Sequence, residues 1–494
     1  MRNYAKFPAI LLLQFILIQS YGQQFEWANS YTVDNSNEVA ALAADIDGNS
    51  YIAGVFGASQ FLPYTGNCYL LKTNHQGVVI WTKYFSGLVQ IGDIVASGNQ
   101  LLIVGQANGV FSYDGTTMGL PTYHMFLMKL DSSGALLWIR TDETRNGSGS
   151  NMVAGENGKV ALNFKGVSNI GNYIEIVDSA GVVLQSKQIT GNYAGIVDIA
   201  YFDDRVYLNG ALNGPDSLVV DDIVIHRPDI ENAAFILALN SDFIAEWAAV
   251  DTTINNRDGR ILAGEDGVYA YFSALEPPFT IVNVLKKFAF NGQILIEAEI
   301  PFFSTGPTLY PDMAIIPGIV GLYVNNDFDF NNHEVILFDE YLNLIGEMEV
   351  QGPSDLYSGQ IAGNNGGFLV SHVHSGDLNF NNEISLSYAG PGKRPYISRL
   401  SLSEPTGVFR VDSGKSEAFF YPNPADHFIH MILPGLNDGK AGLKIHDSSG
   451  KSVLESIVQS GESGVDVSHL SAGVYLITLQ MPDHQIIRNK LLIK

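Results

Sequence analysis

Gly77-Val-Val-Ile-Trp81 and Gly134-Ala-Leu-Leu-Trp138 decide the fold. Each has a turn glycine, three apolar residues and a tryptophan at the same distance. The chain holds four tryptophans, Trp27, Trp81, Trp138 and Trp247. Their spacings are 54, 57 and 109 residues, the last about twice the first two. The turn recurs without tryptophan at Gly181-Val-Val-Leu-Gln185 and Gly292-Gln-Ile-Leu-Ile296. Asn240 to Trp247 is a one-residue variant, and Tyr341-Leu-Asn-Leu-Ile345 is the weakest copy. Self-similarity at a roughly fixed period is the mark of a repeat architecture.

A second marker runs in phase with the first. Apolar stretches break at Gly48, Gly98, Gly158, Asp204, Gly267, Gly318 and Gly367, at intervals of 46 to 63 residues. An apolar strand follows each break, from Tyr51-Ile-Ala-Gly54 to Phe368-Leu-Val370. Ala44, Ala96, Ala154, Ala200, Ala263 and Ala362 stand before six of the turns, as suits strands crowded near an axis. Two turns per unit make four strands per period, which is a β-propeller blade. Seven first turns predict seven blades. The last unit stops after Tyr396-Ile-Ser-Arg-Leu400 without an outer strand. Phe25-Glu-Trp-Ala-Asn-Ser-Tyr31 supplies it, carrying Trp27, and closure removes exposed sheet edges. A β-solenoid or tandem sandwiches are the competing architectures, and the uneven period argues against a solenoid. The variable connections echo one another too, as in Asp329-Phe-Asn-Asn-His333 and Leu378-Asn-Phe-Asn-Asn382. This pattern over residues 25–402 resembles the bacterial extracellular propeller repeats of the SBBP type, which implies a fold and no activity.

The 494 residues suggest two or three domains. Apolar residues make up 46% and charged ones 16%, against a usual charged share of about 25%, so the chain is not disordered. The net charge of −24 sets it against nucleic acid and anionic lipid. The single cysteine, Cys68, excludes an internal disulfide and a Cys-rich metal site.

Both ends read as addresses. Arg2 and Lys6 followed by apolar Phe7 to Ile18 make residues 1–22 a signal peptide, with Ser20-Tyr21-Gly22 placing the cut between Gly22 and Gln23. An N-terminal anchor is the alternative. No later segment reaches about 18 consecutive apolar residues, so no transmembrane segment is expected in the mature chain. Residues 23–402 form the propeller and 403–416 a polar linker. Residues 417–494 form a small β-sandwich of immunoglobulin-like type, with six basic against eight acidic residues. The fold class is therefore all-β. The last segment carries Tyr421-Pro422-Asn423-Pro424-Ala425, Asp447-Ser-Ser-Gly450-Lys451, Leu470-Ser-Ala-Gly473-Val-Tyr475 and Lys490-Leu-Leu-Ile-Lys494. In order, spacing and terminal placement these closely resemble the type A C-terminal sorting domain of the Bacteroidetes type IX secretion system. The resemblance implies export across the outer membrane, removal of the module, and surface attachment or release. An ordinary C-terminal binding sandwich is the alternative.

There is no nucleophile elbow, phosphate loop or zinc-protease helix. Asp45-Ile-Asp47-Gly48-Asn49 lacks the glycine and distal glutamate of a calcium loop and reads as a strand turn. Asp327-Phe-Asp329-Phe-Asn331 alternates as a half-buried strand does. His372-Val-His374 puts two imidazoles on one strand face near Asp377, a weak zinc pattern. No cofactor is expected, though an acidic body leaves room for calcium at its surface. The leading reading is a secreted, non-enzymatic binding or adhesion scaffold with an extracellular glycan or protein ligand. The alternatives are a polysaccharide hydrolase or lyase at the channel mouth, and simple structural display.

Overall fold

The computed structural model describes residues 22–403 apart from 34–35, 57–65, 143–144, 167–170, 191–193, 213–216, 227–232, 256–258, 277–279, 301–310, 326–331, 354–358, 365 and 391. It also describes 419–493 apart from 422–424, 426–427, 433–439, 447–450, 460–462, 472 and 481–485. Among these residues the only helical piece is the 3-10 turn Glu156–Gly158. The chain divides into two units, Met1–Glu404 and Pro405–Lys494.

The first unit is built from antiparallel meanders. Ala194–Phe202, Arg205–Leu212, Ala233–Leu239 and Ala245–Asn255 pair in chain order, as do Arg145–Ala154 to Val183–Ile189 and Arg260–Gly264 to Ile294–Glu299. Asp312–Ile316 to Leu344–Gln351 do the same and add a hairpin, Leu378–Phe380 with Ile384–Leu386. The second strands are almost wholly buried, polar residues such as Asn209 and His372 included, as in Arg205–Leu212 and Gly367–His374. Fourth strands such as Ile294–Glu299 alternate and face water. Each meander is the topology of a propeller blade. The first strands touch in succession. Ser36–Ala44 meets Val79–Ser97, then follow Arg145–Ala154, Ala194–Phe202, Arg260–Gly264, Asp312–Ile316 and Gln360–Asn364, which returns to Ser36–Ala44.

One sheet departs from the sequence reading, which separates every unit by a break. Val79–Ser97 is a single strand of 19 residues, joining two four-stranded groups into a seven-stranded sheet. Gly87 makes the bend, with φ 111 and a register shift between Ser86 and Leu88. A Cβ there would meet the Val110 carbonyl oxygen at 2.7 Å. A second, smaller departure is that Gly366, φ 80, rather than Gly367 takes the left-handed turn position.

The last sheet has the order Gly22–Ser30, Arg394–Ser403, Gly367–His374, Gln360–Asn364. Phe25 faces Leu400 and Ser30 faces Tyr396, so the first strand of the chain completes the last sheet. The Gln23 side chain donates to the Ile345 carbonyl at 2.6 Å and lies over Gly346, reaching the preceding sheet.

Neighbouring four-stranded groups are clasped by the tryptophans. Each indole N–H donates to a carbonyl in the outer turn of the next four-stranded group, which for Trp81 lies within the seven-stranded sheet: Trp27 to His75 at 3.1 Å, Trp81 to Ser132 at 3.1 Å, Trp138 to Ser179 at 3.4 Å and Trp247 to Phe290 at 2.8 Å. The rings cover the turn glycines Gly77, Gly134, Gly181 and Gly292. A Cβ on Gly181 or Gly292 would stand 2.7 Å from the indole, and both have φ near 80. These glycines are required twice, by backbone conformation and by the ring above them. Gln185 takes the tryptophan place in its sheet and donates to Ser241. Lys72 and Lys129 reach the same two carbonyls as Trp81 and Trp138.

The second unit has two sheets. Phe419–Tyr421, Phe428–Ile432 and Ser463–Asp466 form one, and Ser452–Gln459, Lys440–His446, Gly473–Gln480 and Ile486–Ile493 the other. Ile429, Leu443, Ile445, Ile477 and Leu491 build its separate core.

The four tryptophans are half-buried rather than fully enclosed. Trp138→Ala should therefore cost about 2–3 kcal/mol, from partial loss of aromatic burial and one hydrogen bond. Trp138→Phe, which keeps the ring contact and loses the N–H, should cost about 1 kcal/mol. Urea denaturation of the two variants checks this, and equal costs would mean that the ring contact is idle.

Candidate functional site

The first strands share a position that the sequence reading missed. Ala41, Asp93, Asn151, Asp198, Arg260, Asp312 and Gln360 each precede a buried Leu, Ile or Met and stand two or three residues before an alanine. The side chains link neighbouring strands. Asp93 accepts the backbone N–H groups of Ile94 and, in the next sheet, Met152, both at 2.7 Å. Asp198 accepts those of Ile199 and Ile261, both at 2.9 Å. Asp312 accepts that of Ile361, also at 2.9 Å. Asn151 donates to Asp198 at 2.8 Å and to the Val197 carbonyl at 2.9 Å. Arg260 lies 3.6 Å from Asp312.

Acceptors thus alternate with donor-bearing side chains: Asp93, Asn151, Asp198, Arg260, Asp312, Gln360. Seven positions cannot alternate without one break, and Ala41 stands at the break, between Gln360 and Asp93. Burial is the main cause that raises all three carboxyls. Asp93 is pushed up to about 7, with the charges of Asp198 and Asp312 adding to burial and its two backbone donors opposing it. Asp312 rises to about 6 even though the Arg260 guanidinium opposes burial. The Asp312 side chain keeps 19% of its surface open, so this is enclosure by surrounding chain with a narrow opening to solvent.

These groups are arranged to bind one strand to the next. The three aspartates spend oxygens on backbone N–H groups, an arrangement that organises sheets rather than presenting a free nucleophile or acid. The Asp45 carboxylate is similarly engaged. It accepts the N–H groups of Asp47 and Asn49, the Asn49 amide and the Tyr51 hydroxyl, and lies 3.5 Å from Lys72. Asp45 to Asn49 is a strand turn. Asp327 to Asn331 fall outside the described residues. His372 and His374 are buried, and no set of three or more His, Cys, Asp or Glu side chains placed to hold a metal ion occurs among the described residues.

The sorting-motif residues lie in the second unit. Tyr421 ends the strand Phe419–Tyr421. Pro422, Asn423, Pro424, Asp447, Gly450 and Lys494 are outside the described residues, and Lys451 is exposed before Ser452–Gln459. Gly473 pairs with Ile493, Tyr475 with Leu491, and Leu476 with Lys490. Buried Ala425 forms a parallel bridge to Ile493. The Tyr475 hydroxyl donates to the Ser471 carbonyl at 2.8 Å. Three motif pieces far apart in sequence therefore meet along the terminal strand. At the other end of the chain, Gly22 and Gln23 open the strand that completes the last propeller sheet.

Comparison with known proteins agrees with this division. Residues 419–494 match the family described as the secretion system C-terminal sorting domain. Together with the motifs, the match indicates export through the type IX secretion system, to the cell surface or the medium. No curated protein matches the chain. Among solved structures, quinohemoprotein alcohol dehydrogenase from Comamonas testosteroni is similar at 9% identity and a TM-score of 0.40, covering 83% of this chain and 80% of that one. The β-propeller domain of the Trilobed protease from Pyrococcus furiosus is similar at 9% identity and a TM-score of 0.37, covering 76% of this chain and 97% of that one. Likenesses this loose carry no activity across.

The raised carboxyls set a pH dependence. The native state binds a proton at Asp93 up to about pH 7. The unfolded chain releases that proton near pH 4. Stability therefore falls as pH rises through 7. Going from pH 8.5 to 6.5 should raise the unfolding free energy by about 1 kcal/mol through Asp93 alone. Over the same range His333 and His374, both held neutral, pull the other way by a similar total amount. Urea midpoints at the two pH values check the rise. The rise is the parent's change minus that of Asp93→Asn, whatever the variant's absolute stability, and equal changes in the two would assign it elsewhere.

Proposed function

We propose that this chain is a secreted or cell-surface seven-bladed β-propeller that serves as a binding or adhesion scaffold. In this reading, residues 1–22 are removed as a signal peptide, 23–402 form the ring and 403–416 the linker. Residues 417–494 are an immunoglobulin-like sandwich that engages the type IX machinery and is then cut off. The observation that carries the reading is a sorting-domain match confined to a separately packed terminal unit. Seven first strands in cyclic contact support the blade count. The recognised features in the terminal unit are Tyr421 to Pro424, Asp447, Gly450, Lys451, Gly473, Tyr475, Lys490 and Lys494. The cleavage site is Gly22–Gln23. The ligand is an extracellular glycan or protein that docks on loops at the ends of the ring, where rigid scaffolds carry function. The acidic body disfavours nucleic acid and anionic membranes. A glycosidase needs two carboxyls held free across a cleft. Asp93, Asp198 and Asp312 are instead committed to backbone donors, which favours binding over hydrolysis.

In a type IX-competent host, the chain lacking 417–494 should stay in the periplasm with the propeller folded. Residues 403–494 fused to an unrelated periplasmic protein should carry it to the surface or medium. Normal export of the truncated chain would refute the sorting role. A glycan array probed with residues 23–402, run beside a polysaccharide hydrolysis assay, separates scaffold from enzyme. Binding without turnover is expected, and release of products would reverse the reading.

A further inference from the structure

Three histidines meet where the closing strand is held. His333 lies on Asn332–Asp339, and His372 and His374 lie on Gly367–His374. All three are buried. The His333, Tyr323 and His372 rings form a triangular cluster, His333 lying 5.9 Å from Tyr323 and 4.8 Å from His372, and Tyr323 6.2 Å from His372. Among the described residues neither ring nitrogen of His333 has a hydrogen-bond partner. The His372 Nδ1 lies 2.7 Å from the Val373 nitrogen and 2.8 Å from the Val373 carbonyl oxygen. The His374 Nδ1 lies 2.7 Å from the Gly376 carbonyl, which only accepts, so this nitrogen carries the proton. Its Nε2 therefore accepts from the Ser30 hydroxyl at 2.7 Å. Ser30 ends the strand Gly22–Ser30, which completes the last sheet.

The neighbouring groups offer little to a new positive charge. Tyr323 and Tyr396 are held neutral by burial, which raises both phenols well above their ordinary value. Tyr388 and Tyr396 meet His374 edge-on. Arg394 faces His374 in register and sits over the Tyr388 ring at 4.5 Å. Asp377, which accepts the Tyr388 N–H, is the carboxylate that favours a charged His374. Glu334, next along from His333, has other partners. Burial holds His333 well below the ordinary imidazole value, and His372 adds to it. Burial and Arg394 lower His374 against Gly376 and Asp377.

We propose that this histidine row is an acid-sensitive latch on the ring closure: neutral imidazoles hold the strand Gly22–Ser30, and protons taken up in mild acid release it. A proton on the His374 Nε2 turns the Ser30 hydroxyl from donor to acceptor and sets a buried positive charge beside that of Arg394. A proton on His333 places an unpaired charge 4.8 Å from the next imidazole. An opened closure admits water, and its histidines take protons near pH 6.5. The closed state is thus fully favoured above pH 6.5 and loses ground below it. Each histidine kept neutral favours opening about tenfold per pH unit in that range. The carboxyls of Asp93, Asp198 and Asp312 shift overall stability the opposite way, so the latch is read locally and not from a melting temperature.

Hydrogen exchange of the full chain at pH 7.5 and 5.0, corrected for intrinsic rates, makes that reading. Protection of Gly22–Ser30 and Arg394–Ser403 should fall at least tenfold at pH 5.0 relative to Arg205–Leu212. His333→Phe keeps a ring in the cluster without titrating and should reduce the fall. His374→Asn, which removes the second titrating group, should reduce it too. An unchanged ratio in the parent chain overturns the proposal on its own. So does an undiminished fall in the folded variants.

Discussion

One contact sets the register of the ring: an indole of one four-stranded group lying on the turn glycine of the next. The glycine has no side chain, so the ring approaches the backbone and its N–H reaches the turn carbonyl. A Cβ at Gly134 would already stand 3.1 Å from Trp81. The turn in turn is shaped by its own first residue. Asp131 and Asp178 each accept the N–H groups two and four residues on, fixing the left-handed glycine beneath the indole. Sequence, turn and packing between sheets are therefore one interaction seen at three scales. In the sheet Arg145–Ala154 to Val183–Ile189, where the indole is replaced, the Gln185 amide takes over.

The inner strands answer a different constraint. Their backbones crowd together, so small residues fill the contacts and polar side chains satisfy N–H groups that would otherwise be stranded. Alternating acceptor and donor-bearing residues is the economical solution, and an odd ring must break it once. The break falls at Ala41, beside the carboxyl that is raised to about 7. The outer clasp and the inner belt act at opposite ends of each sheet, and the closing strand depends on both.

Much of this was legible in the sequence, for physical reasons. A turn that needs glycine and a surface that needs tryptophan leave a spacing that survives in a single chain. The orphan strand Phe25 to Tyr31 was legible because Trp27 marks its place. The inner belt was not, since its members differ in type and one is Ala41. A cue existed in the buried Leu, Ile or Met that follows each member, but alanine was the louder marker. The fused strand Val79–Ser97 hid because Gly87 bends a strand without ending it. The histidine row joins His333 to His372, and no local pattern announces a contact between residues that distant in sequence. In the terminal unit the motifs were plain, while their meeting along Ile486–Ile493 needed the pairing of strands to appear.

Thermal unfolding of the propeller with and without residues 23–33 tests the account most directly. Removing them takes away the strand paired to Arg394–Ser403, the Trp27 clasp and the Gln23 contact together. The account predicts a sharp fall in melting temperature and self-association through the exposed Arg394–Ser403 edge. A truncated chain that stays monomeric and melts with the parent would contradict closure by the N-terminal strand.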